Sequence, residues 1–159
     1  MDSIEAAAIT SAIVEFHGFK DNQNRFVVKE LAVVSKYFQT QLIFEAPYSE
    51  ELLCSKMFRT VSWLANRFHL IKWDAPGVLY DENLIRTLCA PFKVVYTKGE
   101  EKAKFLKEFH NNVRETDEPC TRSNRLKVSC ILPQHDGFRG RCALHSAKSL
   151  YRLKFESPK

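Results

Sequence analysis

Three donors suited to a transition metal fall within thirteen residues of this 159-residue chain: Cys130, His135 and Cys142, in the pattern Cys-x4-His-x6-Cys. Thiolates and a neutral imidazole select Zn²⁺ over Mg²⁺, which prefers hard oxygen ligands. His145, three residues after Cys142, is an alternative imidazole. The same stretch is crowded with cations, Arg122, Arg125, Lys127, Arg139 and Arg141, and Lys98 and Lys102 lie upstream. Such a set can line a groove for a phosphate backbone, although a solvated helix face explains the lysines as well. Phe138 and Tyr151 read equally as stacking faces for bases or as core aromatics. His17, His69 and His110 read as structural, and so do Cys54, Cys89 and Cys120.

Charge is placed unevenly. The chain carries 24 basic and 19 acidic residues, a net charge of +5. Residues 114–159 hold ten of the basic and only five of the acidic ones, so the whole excess lies in the last third. That asymmetry fits a polyanionic partner, nucleic acid first, and equally a merely solvated basic surface. Five cysteines, an odd number scattered along the chain, argue against a secreted disulfide framework. Asp2 and Glu5 stand where a signal peptide needs cations, and no apolar run reaches the roughly 18 residues of a membrane helix. The expectation is a cytosolic or nuclear protein with reduced thiols.

The elements that must position these residues read in a definite order. Ala12–Phe19 and the Val-rich Arg25–Ser35 suit strands separated by an Asp-Asn-Gln-Asn turn, and Gln41–Phe44 suits a third. Ser49 opens a helical stretch in which Leu53, Met57, Val61, Leu64 and Phe68 recur at three- and four-residue spacing. Asp81–Cys89 is a shorter helix, Lys93–Thr97 a fourth strand, and Glu100–His110 a helix. The polar segment 111–124 reads as loop, 127–132 as a fifth strand, and Arg141–Phe155 as the closing helix. The order is β-β-β-α-α-β-α-β-α, an α/β domain over residues 12–155 with a short extension at 1–11 and a tail at 156–159.

That order resembles the exonuclease branch of the RNase H-like superfamily, a mixed sheet with a three-strand meander start flanked by helices. Nucleases of this branch hold two metal ions with four carboxylates, and a His or Tyr acts on the attacking water. The first strand of such enzymes carries Asp-x-Glu, and the matching residues here are Glu15-Phe16-His17. The middle acid aligns with Lys102, and a one-residue slip would place Glu101 there. The last helix reads Arg141-Cys142-Ala143-Leu144-His145-Ser146-Ala147, with Arg141 at the family's His and Ser146 at its last Asp. The resemblance therefore implies loss of the nuclease ligands.

Glu15 lies on the strand that would face Cys130, His135 and Cys142. A Glu-Cys-His-Cys set together with Cys142-Ala-Leu and Lys98-Gly99-x-x-Lys102 resembles the Maelstrom domain, an RNase H-like domain whose catalytic acids are replaced by a zinc site. The resemblance implies a structural Zn²⁺ held by Glu15, Cys130, His135 and Cys142. It also implies a non-catalytic RNA-binding module, possible protein partners, and a context of transposon silencing or mobile elements. An active exonuclease using Glu15 and Glu101, and a protein-interaction domain that binds no nucleic acid, are the rival expectations.

Overall fold

The computed structural model describes residues 3–117, 131–132, 135 and 142–156. Strands β1 (Ser11–Lys20), β2 (Phe26–Val34) and β3 (Gln39–Ile43) form an antiparallel meander. Strands β4 (Val94–Thr97) and β5 (Val113–Glu115) extend it in parallel on the β1 side, giving the order β3-β2-β1-β4-β5. The helices are α1 (Ser3–Thr10), α2 (Ser55–Arg67), α3 (Glu82–Cys89), α4 (Glu100–Leu106) and α5 (Ala143–Tyr151). A π-helical turn at Arg152–Glu156 follows α5. The mixed α/β architecture agrees with the sequence expectation.

β5 lies inside the polar stretch that reads as loop. It is three residues long with only Val113 buried, too short and too polar to show a strand period. Most of the strand expected over 127–132 lies outside the described residues, and Ile131 and Leu132 belong to no strand. The segment read as an N-terminal extension contains α1.

Both faces of the sheet are covered, so β1 and β2 are buried almost throughout. On one face Val14, Phe16, Leu31 and Val33 pack among residues of α3 and α4, including Ile85 and Phe105. On the other, Ile13, Ala32 and Val34 meet Ala143, Leu144, Ala147 and Leu150 of α5. Farther along that face Phe19 and Val27 pack with Val61 of α2 and with Trp73. The buried positions of α5 include Ala143, Ser146, Ala147 and Ser149, small residues that let the helix lie close on the sheet, while Leu144 and Leu150 each contribute roughly 2 kcal/mol of apolar burial.

The β1–β2 register pairs Gly18 with Val28 but His17 with Glu30, so Lys29 is an extra residue in a β-bulge. In a regular strand Val28 and Glu30 would share a face. Here Val28 joins the core under α3 and α4, while Glu30 reaches α5 on the opposite side. Lys29 turns its ammonium onto the carbonyls of Phe44 at 2.5 Å and Ala75 at 3.3 Å, and burial lowers its pKa to about 8. The bulge requires glycine at position 18, because a Cβ there would stand 1.9 Å from the carbonyl oxygen of Val27. Gly18→Ala should therefore destabilise the fold by about 3 kcal/mol or more in urea denaturation. Alanine at the open Gly99, where a Cβ would meet nothing within 4 Å and only the backbone angle of 108° resists, should cost less.

Candidate metal centre

Glu30 of β2, His135 and Cys142 at the start of α5 converge. One ligand atom from each lies within 4.8 Å of the other two. All three side chains are buried, and Glu30 has no exposed surface. A buried carboxylate is tolerated only when it is hydrogen-bonded or charge-compensated. The backbone N–H of Ala143, in the first turn of α5, donates to Glu30 Oε1 at 2.9 Å, and Gln41 Nε2 donates to Oε2 at 2.6 Å. Cys142 is the N-cap residue of α5, and its Sγ stands 3.8 Å from Glu30 Oε2.

The imidazole of His135 is fixed from behind. Its Nε2–H donates to the carbonyl of His69 at 2.6 Å, which leaves Nδ1 as the atom with a lone pair. His69 is itself held in one tautomer, with Nδ1 accepting from the Ile71 N–H at 3.1 Å and Nε2–H donating to the Gly18 carbonyl at 3.2 Å. Burial lowers the His69 pKa to about 4, so the ring is neutral. Gln41 Oε1 accepts from the Ile131 N–H at 3.0 Å, tying the segment before His135 to the side chain that supports Glu30.

The donor set fits zinc. A tetrahedral Zn²⁺ with Zn–S of about 2.3 Å and Zn–O of about 2.0 Å holds its sulfur and oxygen roughly 3.5 Å apart, close to the observed Cys142–Glu30 separation. The outer hydrogen bonds to Glu30 and His135 have the form that orients metal ligands, a ring N–H on a backbone carbonyl and donors on the carboxylate. Of the four residues expected as ligands, His135 and Cys142 are brought together, and Cys130 lies outside the described residues. The carboxylate beside them is Glu30.

Glu15 is placed in a different environment on the same face. It is buried on β1, where Thr97 Oγ1 donates to Oε2 at 3.2 Å and Lys102 Nζ lies 3.3 Å from the same oxygen. Burial raises its pKa, and the Lys102 ammonium opposes that rise. Lys102 thus supplies a positive charge beside this buried acid. Glu101, the alternative for that acid, is exposed and pairs with Lys20.

Among the other expected residues, Lys98 is exposed just after β4, and Arg122, Arg125, Lys127, Arg139 and Arg141 lie outside the described residues, as does Phe138. His145 is half-buried on α5 and is not part of the ligand group found among the described residues. Tyr151 is buried beside Phe155, so it is a core aromatic rather than a stacking face. Comparison with protein-family models, with curated proteins and with solved structures finds no match to the chain. No helix among the described residues is long and apolar enough to cross a membrane.

The Glu15–Lys102 pair has a measurable consequence. Lys102→Met leaves a buried carboxylate without its cation and should cost about 3 kcal/mol at neutral pH. The sign follows from linkage. Losing the cation raises the folded-state pKa of Glu15 further above its unfolded value, so the deficit should be full where Glu15 is ionised and shrink as acid protonates it. Urea denaturation of Lys102→Met and of Glu15→Gln/Lys102→Met across pH 4 to 8 checks this, the double variant recovering most of the neutral-pH loss.

Proposed function

We propose that this chain is an RNase H-like domain that has exchanged two-metal nuclease chemistry for a structural zinc clamp and serves as an RNA-binding module of the Maelstrom type. The strand order β3-β2-β1-β4-β5, with an antiparallel meander followed by two parallel strands, supports the fold part of this reading. The observation that carries the rest is the buried convergence of Glu30, His135 and Cys142. Cys130 is the fourth ligand in this reading, which closes the coordination shell as a structural zinc requires.

Zinc bound there joins β2, the segment containing His135 and the N-terminus of α5. It supplies a divalent charge beside a buried carboxylate, so its binding free energy becomes folding free energy. Meanwhile Lys102 neutralises Glu15 and Ser146 offers no carboxylate on α5, which argues against a pair of magnesium ions at the old nuclease position. The basic surplus of residues 114–159, together with exposed Lys98, supports an RNA backbone as partner.

Elemental analysis of the purified chain should find about one zinc per molecule. Cys142→Ser and Glu30→Gln should lose it together with thermal stability, whereas Glu15→Gln should keep it. A gel shift with RNA should weaken steeply with salt, and magnesium should support no degradation of the same RNA. A zinc-free wild-type protein would remove the Maelstrom-type comparison and leave a degenerate exonuclease fold, whereas RNA turnover abolished by Glu15→Gln would replace this reading with that of a nuclease.

A further inference from the structure

Helix α2 presents a surface that neither the metal centre nor the C-terminal cations account for. Its thirteen residues contain Lys56, Arg59 and Arg67 and no acid. All three cations are exposed, and none joins an ion pair among the described residues. Lys56, Arg59, Trp63 and Arg67 follow at three- and four-residue intervals, so they form one stripe along the helix. Trp63 is 58% exposed and Phe58 is 44% exposed.

The exposed indole is held rather than loose. Its ring stacks on Phe68 with centroids 6.4 Å apart and planes inclined by 20°. Phe68 in turn meets the edge of His17 at 5.7 Å on β1, so the platform rests on the sheet next to the metal centre. A flat ring braced on one side and flanked by cations that join no ion pair among the described residues matches what a single strand offers, a π-face on each base and a charge on each phosphate. An acidic peptide would satisfy the cations, but its carboxylates offer no plane for the indole, whereas every nucleotide brings a base.

We propose that the outer face of α2 is a single-stranded nucleic-acid platform in which a base stacks on Trp63 while Lys56, Arg59 and Arg67 hold the neighbouring phosphates. This rests on the reading of the domain as an RNA binder and adds to it a surface outside the basic C-terminal third. Stacking on Trp63 is the sequence-tolerant part, and the cations make attachment salt-dependent.

The two tryptophans allow a direct test in the intact chain. Trp73 is buried, with its indole N–H donated to the Tyr48 carbonyl at 2.7 Å, so any quenching by an added polyanion reports Trp63. Titration with a twelve-residue oligouridylate should quench the fluorescence. Trp63→Ala should remove that quenching and weaken binding, measured by anisotropy of labelled RNA, on the order of tenfold. Trp63→Phe should retain most of the affinity. Arg59→Ala should lower the magnitude of the salt slope by about 0.7. Oligonucleotide binding that neither quenches Trp63 nor responds to Trp63→Ala overturns the platform and leaves RNA binding to the other cations. No binding to the oligonucleotide or to a longer structured RNA overturns both. Quenching by poly-glutamate or by anionic vesicles but not by RNA overturns the platform in favour of an acidic-protein or membrane surface.

Discussion

A carboxylate with no exposed surface, placed between a sheet and the helix that covers it, sets the terms for this structure. Glu30 cannot be left ionised in that seam without partners. The Ala143 N–H and the Gln41 amide each satisfy one oxygen, and Cys142 and His135 stand close enough to share a cation with it. The first turn of α5, the β2–β3 pairing and the 131–135 segment are therefore all held at one point. An apolar residue at position 30 would pack the seam more simply. A charged one has to be compensated, here by hydrogen bonds to both oxygens and by soft donors placed so that a cation could bind beside it.

A second buried acid on the same face has met the same problem by another route. Glu15 has Lys102 beside it, with Thr97 donating to the same oxygen. The ammonium is a single point charge on a flexible stem that donates hydrogen bonds but cannot coordinate several carboxylates as a metal ion does. The two buried acids are thus satisfied by different partners. Glu15 is neutralised within the chain, and Glu30 is left with the soft donors.

Much of this was legible in the sequence, and the missing parts have identifiable causes. Apolar and Val-rich runs mark β1 through β4, and three- and four-residue apolar spacing or an acidic start marks α2 through α5, because those elements are long enough to carry such a signal. The three residues of β5 carry no such signal. At the site, the spacing of His135 and Cys142 singles out both, whereas the likeness of Glu15-Phe16-His17 to an Asp-x-Glu strand points to Glu15 as their carboxylate rather than Glu30. The overlooked signal was Lys29-Glu30, a charged pair inside an otherwise apolar strand. Strand alternation would have put Glu30 on the same face as Val28, away from α5. Only the bulge reverses that, and a bulge leaves no periodic trace in the letters.

That bulge does more than turn one side chain. Its Gly18 carbonyl accepts from His69, whose ring is thereby fixed with Nδ1 toward the Ile71 N–H. The carbonyl of His69 then accepts from His135, and the chain between His69 and Ile71 passes through Leu70 at a φ of 56°, a left-handed conformation that non-glycine residues rarely adopt. A residue stays in that region only where the surroundings over-determine it, and the two hydrogen bonds of the His69 ring and the third at its carbonyl do so. One inserted residue in β2 accordingly positions two of the three converging ligands, Glu30 by changing its face and His135 through a relay of backbone carbonyls. The centre is specified less by the spacing of its ligands along the chain than by the place where the sheet breaks its own register.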